Sequence, residues 1–525
     1  MSQEEQLQRR IGQTEFLNPI WGHDGCGANC QNEPQQDESK QDQKREEQEA
    51  DIFKIGEAGS KLLYLMNSYR GLQVVSFEDG AENPKLVGRA PSSGYSPNEM
   101  YLDEKHDRLI VVETGWYTGE EQTKLSVYDV TDSRRPKITQ NVVVTGHVVD
   151  SRMVGNVLYV ASRKADVGYV TSYSLSKAEI TIVQQMKLSL KVSYQKNMNI
   201  VVSGEGAATK YYLIATLSEK DWSWWDDASI IEVVDITDPN GRIVPLMSAA
   251  ARGRVEERTQ TSIKNDTLIV TSNYRNKDQP LRIAVETFKL PTAGAEVIDQ
   301  DEANYRLAHI ERQLKGKSGV EYEKLKDKLL GDADLGLRGR FIRAGESLRK
   351  IVNDSIVTVG DGSGLHANLQ DARYTGDLLY AFWVPQNEID PFDIFDISHP
   401  ENGIKHISRL QFDGWIDRAI PFTSQGRRFV LGLGWVVSVV DNEENRRQPQ
   451  AMLFEVVQSG EKYKAVEIAQ LSFKGSNIWA DFNDQDKMIE VRFTADGAGE
   501  VLFGAQKYKE GAYSAGGQIV RFNAN

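Results

Sequence analysis

Three sets of side chains in this 525-residue chain have the types and spacing to do chemistry. The most conspicuous is Trp222, Trp224 and Trp225 beside Asp221, Asp226 and Asp227, in the segment SEKDWSWWDDAS (218–229). Exposed tryptophan is apolar area that a chain normally hides, so a triplet on a loop predicts a contact surface. The competing reading folds one or two of the rings back over the frame. Trp116 and Tyr117, flanked by Glu113, Glu120 and Glu121, repeat the pattern on a smaller scale. Aromatic faces and carboxylates together suit a cation, a sugar or a basic peptide.

The second set is Cys26 and Cys30, the only cysteines, in WGHDGCGANC with His23 and Asp24 just upstream. Zinc needs about four such ligands in a tetrahedron, but the spacing is not that of a zinc-finger half and no second pair exists. A local disulfide or a pair of free thiols is the expectation, with no metal; a disulfide would place the chain in an oxidising compartment. The third set is Asp129, Asp132, Asp235, Asp238, Asp393 and Asp396, which recur before Pro or Gly. Aspartate there bonds its own backbone, so all six are expected to close turns and none to hold metal. Asp361, in VGDGSGLH, lacks the alternating ligands and terminal Glu of a calcium loop and is read as part of a turn.

No G-x-S-x-G, H-E-x-x-H or Walker sequence is present, and the seven histidines (23, 106, 147, 309, 366, 399, 406) form no pair at metal spacing. His399 and His406 are expected at the surface. Catalysis is therefore disfavoured and no cofactor is expected. An enzyme reading would need a carboxylate pair roughly 5–10 Å apart, for which Glu113 and Asp226 are the candidates.

What positions these groups is a repeat. Strand, turn and strand ending in Val-x-Asp-Ile/Val-Thr/Ser recur as LSVYDVTDSRRPKI (125–138), IIEVVDITDPNGRIV (230–244) and FDIFDISHPENGIKHI (392–407), more weakly as LQVVSFEDGAENPKLV (72–87). A period of roughly 40–50 residues marks units that bury their apolar faces only by stacking on neighbours. Each unit divides into four strands: 51–90, 95–144, 146–190, 191–250, 253–292, 366–413, 414–473 and 476–525. The expected fold is all-β: a β-propeller of about eight four-stranded blades, with seven to nine as the range. Leu348–Gly360 either completes the fifth unit or is a degenerate ninth.

Residues 295–340 break the pattern. Ala303, Leu307, Ile310 and Leu314 recur at three- and four-residue steps, then Tyr322, Leu325 and Leu329, which predicts a helical hairpin inserted into the propeller. Residues 31–50 contain no large apolar side chain, so 1–50 reads as a flexible tail and linker ahead of a propeller at 51–525. The strand count leaves closure open: either an early segment completes the last blade or that blade is short.

A net charge of −14 supplies no basic surplus for phosphates, which argues against nucleic acid. The longest apolar run, FVLGLGWVVSVV (429–440), is too short to span a bilayer and reads as a buried strand. MSQEEQLQRR lacks the pattern of a secretory signal, so the chain is either cytoplasmic or written after signal removal.

The segments GHVVDSRMVGNVLYVAS (146–162), SIIEVVDITDP (229–239) and the run from DARYTGDLLY to RRFVLGLG (371–434) resemble the β-propeller domain family of bacterial and archaeal, mostly secreted or envelope proteins distantly similar to WD-type propellers. The resemblance implies the fold and export; it supplies no catalytic residues. In such a fold the loops joining second to third strands lie on one face with the connections between blades, and that face usually carries ligands. Here they include 113–122, 218–229, 273–280, 385–391 and 441–450. The expected function is a non-catalytic scaffold at the cell envelope that binds a protein partner through Glu113, Trp116, Tyr117, Trp222, Trp224, Trp225, Asp226 and Asp227. The alternative is a propeller that binds or cleaves carbohydrate.

Overall fold

A computed structural model describes residues 47–48 and most of 53–523. It leaves out 1–46 and, among other segments, 116–121, 219–227, 275–280, 361–366, 386–390, 437–447, 473–477 and 481–489. Valine, isoleucine and aromatic residues alternate between turns, so most of the described residues lie in strands.

The strands form a succession of antiparallel meanders. Blade one is 53–55, 62–67, 71–76 and 85–90; blade two is 96–103, 108–115, 122–129 and 137–144. Blade three is 147–154, 157–164, 167–174 and 181–191, and blade four is 194–203, 210–218, 229–235 and 244–250. Blade five takes 261–264, 267–274 and 282–289 and then reaches across the insertion for 355–359. Ser355–Val359 therefore completes the fifth unit and is no ninth blade. Blades six (367–375, 378–385, 391–396, 405–411) and seven (415–424, 427–436, 448–459, 462–472) return to the simple order.

An eighth sheet follows with a different order. Ile478–Ala480 and Glu490–Phe493 pair with the same strand, Ala498–Lys509, at its two ends, and Ala512–Asn523 pairs with its other edge. Phe53–Ile55 pairs within blade one, so this early strand is not the piece that completes the last sheet.

Among the described residues the apolar cores of the propeller lie between neighbouring blades, as stacking units require. Met66, Leu72 and Val74 of blade one meet Met100, Leu109 and Val111 of blade two. Val154, Tyr159 and Val170 of blade three meet Ile200, Leu213 and Val234 of blade four, and the same arrangement holds between four and five, five and six, and six and seven. Burying each such side chain is worth roughly 1.5–3 kcal/mol, so the seams carry the fold.

The insertion is a helical hairpin, α1 (Gln300–Leu314) and α2 (Gly319–Gly331). Asp299 caps α1, its carboxylate accepting from Glu302 N at 2.8 Å. Ala303, Ile310 and Leu314 are buried as the spacing predicts, but Leu307 is exposed, because the buried stripe is narrower than the full row. After α2, Phe341–Ala344 and Ser347–Lys350 form a small hairpin whose second strand lies parallel to the outermost strand of blade four. Among the described residues no helix is long and apolar enough to cross a membrane.

Candidate functional site

The turn aspartates explain how the repeat positions its loops. Asp129, Asp132, Asp235, Asp238 and Asp396 accept from the backbone N–H two residues on, at 2.8–3.0 Å. Hydrogen bonding from Thr131 holds Asp129 below the usual carboxylate range. Asp393 does something else: it is wholly buried in the third strand of blade six. It accepts from Trp383 Nε1 at 2.7 Å and from Arg409 Nε at 3.0 Å, and sits 2.6 Å from His406 Nε2. Burial raises its pKa, but the bonds from His406, Arg409 and Trp383 outweigh burial and leave it lowered. His406 is thus a partner of a buried carboxylate, whereas His399 is exposed as expected. Sequence spacing could not separate Asp393 from the others, since it stands three residues before the turn aspartate Asp396, where blades two and four carry Ser126 and Glu232.

Glu113 belongs to a strand and not to a loop. It lies near the end of Arg108–Gly115 with its side chain wholly buried. Oε2 accepts from Ser93 Oγ at 2.7 Å and from Ser126 Oγ, with Lys124 Nζ 3.8 Å away; Oε1 has no hydrogen-bond partner. Burial pushes its pKa up against the opposing pull of Ser126, Ser93 and Lys124. A carboxylate so enclosed supports the end of its strand from inside and offers no surface to a ligand. The other expected contact residues, Trp116, Tyr117, Trp222, Trp224, Trp225, Asp226 and Asp227, lie outside the described residues, as do Cys26 and Cys30.

At the same end of each sheet the innermost strands carry a feature that the spacing of the repeat did not reveal. In blades two, three, four, six and seven the register slips by one residue near the start of that strand, a β-bulge. The first paired residue after each slip is Glu99, Asp150, Asn197, Asp371 and Arg418. All five are buried.

Three contacts that they make with the following blade follow one rule, in which the side chain of one blade reaches the next residue along in the next blade. Glu99 accepts from Ser151 Oγ; Asp150 Oδ2 accepts from Met198 N at 3.1 Å; Asp371 Oδ2 accepts from Ala419 N at 2.9 Å. Asn197 instead donates to Glu256 O at 2.8 Å in the strand lead-in of blade five. Arg152 and Arg373, two residues further on, donate back to Asp150 at 2.8 Å and to Asp371 at 3.0 Å. A bulge re-aims the side chain that follows it, and each of these contacts starts from the first paired residue after a bulge. The sequence signal is Asp-x-Arg in VVDSRMV and LQDARYT, an acid and a base on one face of a strand, masked because blades two, four and seven use other residues.

Blade five departs from the rule. Gln260 Oε1 accepts from Glu257 N at 2.6 Å within its own blade, and Thr259 Oγ1 reaches Asp371 Oδ1 at 3.4 Å. Glu257 is partly exposed, yet its Oε2 is buried without a hydrogen-bond partner. Burial, then the charges of Asp371 and Glu256, push its pKa up to about 8 despite Arg418 and Arg373. Together these residues form a polar belt round the inner wall, at the end where the second and third strands are joined. It joins blades; among the described residues no group of three or more His, Cys, Asp or Glu is placed to hold a metal ion.

Sheets of four antiparallel strands, stacked face to face with their first strands innermost, define a β-propeller. The family model described as Beta propeller domain matches residues 43–221, and over that stretch the resemblance seen in the sequence holds. Among solved structures the chain is similar to a protein from Lactobacillus plantarum, at 11% identity over 82% of this chain and 100% of that one, TM-score 0.34. It is also similar to the WD40 domain of SCAP from fission yeast (8% identity, 82% and 85%, TM-score 0.38) and to the β-propeller domain of the Trilobed protease from Pyrococcus furiosus (7% identity, 82% and 96%, TM-score 0.29). No curated protein matches the chain.

Proposed function

We propose that the chain is a non-catalytic scaffold, working at the bacterial cell envelope or outside the cell, that binds a protein partner through the loop-bearing end of its propeller. The observation that carries this reading is the polar belt. It fixes the innermost strands to one another at the end where 116–121, 219–227, 275–280, 386–390 and 437–447 connect the strands, so this face stands on a rigid frame. The aromatic and acidic content of the first two segments supplies contact area and charge for a partner with basic side chains. Buried Glu113 serves the frame and cannot supply acid or base to a bound sugar, which weighs against the carbohydrate-cleaving alternative. Location at the envelope rests on the family resemblance.

The test is affinity capture from lysate and envelope fractions with the wild-type chain and a Trp222→Ala/Trp224→Ala/Trp225→Ala variant. A protein partner held by the wild type and lost by the folded variant is the expected result. Equal capture by both would remove the Trp segment from the interface, and capture of glycan alone would replace this reading with a carbohydrate-binding one.

A further inference from the structure

The innermost strand of a blade has one edge paired with its own second strand and the other facing the axis. In blade three that inner edge is occupied: Glu47–Gln48 pairs with it antiparallel, Glu47 opposite Val154 and Gln48 opposite Met153. The contact lies at the far end of the strand from the polar belt, beside the tight turn at Gly155–Asn156. The chain then returns to blade one, where Phe53–Ile55 forms the first strand. Glu47 and Gln48 are both polar, so what their pairing with the strand offers is main-chain bonding.

We propose that the inner edge of blade three at Met153–Val154 is an acceptor site for an extended polypeptide strand, held in this chain by its own residues 47–48 as a displaceable strap. Three properties of the site carry the inference. Met153 and Val154 are buried and belong to the cores shared with blades two and four, so the edge is rigid. A strand edge of unpaired N–H and C=O groups is a template for any extended backbone, and main-chain bonds make such recognition tolerant of side chains. The described pairing spans two polar residues, Glu47 and Gln48, and a main-chain pairing of that length exchanges readily. The ligand class is thus an extended, polar peptide segment, and the strap sets the threshold that it must exceed. This inference does not depend on the partner-binding reading above, which concerns the opposite end of the blades.

The experiment is amide hydrogen exchange on the full chain, read at residues 151–155. Gln48→Pro removes an N–H and constrains the backbone, so it should accelerate exchange of an inner-edge amide there by about tenfold or more while leaving blades five to seven unchanged. A synthetic peptide of residues 41–52, added to that variant, should restore the protection. A second measurement covers a variant that fails to fold: in a Cys26→Ser/Cys30→Ser background, Gln48→Cys and Met153→Cys should form a disulfide under mild oxidation. Unchanged protection in a folded Gln48→Pro variant, or no disulfide between the two introduced thiols in the folded double-cysteine chain, would overturn the proposal. Accelerated exchange in the Gln48→Pro variant without rescue by the peptide would reduce the site to an intramolecular contact and overturn the acceptor reading.

Discussion

Glu257 stores a pH dependence that a single substitution should remove. Its carboxyl is pushed from 4.5 to about 8 by burial, with Asp371 and Glu256 adding to the shift. Between those limits the folded chain holds a proton that the unfolded chain has released. Stability from this group is therefore fully present below pH 4.5, falls as pH rises toward 8, and stays low beyond it. A rise of 3.5 (8 less 4.5) at 1.36 kcal/mol per unit makes the loss roughly 5 kcal/mol, an upper figure because solvent reaches part of the residue. With an unfolding entropy of about 2.1 cal/mol/K per residue, a 525-residue chain would shift in Tm by about 4 °C. Glu257→Gln keeps the shape of the protonated acid and cannot ionise. Scanning calorimetry should find the variant and the wild type alike at pH 5 and the variant about 4 °C more stable at pH 9. Parallel Tm curves across that range would refute the claim that Glu257 is neutral in the fold at neutral pH.

Other substitutions separate the frame from the surface. Asp371→Ala removes the acceptor for Ala419 N and leaves Arg373 buried without its carboxylate, so chemical denaturation should show a loss of about 3–5 kcal/mol. Asp377→Ala, which removes an exposed partner of Lys264, should cost about 1 kcal/mol or less by the same assay. Gly146→Ala sets a left-handed residue (φ +80°) with a Cβ 2.2 Å from Arg163 O and should lower Tm markedly; Gly294→Ala, at φ +90° with open space around it, should cost only about 1–2 kcal/mol of backbone strain. Asp393→Ala should destabilise by several times as much as Asp235→Ala, since it removes the buried carboxylate that Trp383, Arg409 and His406 share in blade six while Asp235 loses one turn bond of about 1 kcal/mol.

The repeat was legible because alternating strands and turn aspartates are local patterns, and local chemistry decides them. Asp235 and Asp238 bond their own backbone whatever the rest of the chain does. The insertion was legible for the same reason, its rows of Ala303, Ile310 and Leu314 having helical spacing. The role of Asp393 was not, because only the fold brings Trp383 and His406 to it from ten and thirteen residues away. Nor was the burial of Glu113, which looks like the first acid of a loop until pairing with Pro97 places it in a strand. The belt was the hardest to see: Asp150 and Met198 are 48 residues apart, and what aligns them is a bulge, which leaves no mark in composition. The aromatic and acidic residues at 116–117 and 222–227 lie outside the described residues, in stretches that follow the strands ending at Gly115 and Ser218.

The parallel strand Ser347–Lys350 on the edge of blade four has a consequence for how the protein is made. As the chain leaves the ribosome, blade four finishes its own four strands at Ala250, yet Ser248 and Ala249 on its outer edge meet Arg349 and Lys350 only after the three strands of blade five and both helices have followed. During that interval that edge can pair with any strand that arrives, including the same edge of another nascent chain. Blade five is caught in the same delay, since its last strand, Ser355–Val359, comes directly after the covering hairpin. Translation thus finishes the two blades within a few residues of each other, and a stall or truncation between Leu290 and Ser347 would leave both open at once.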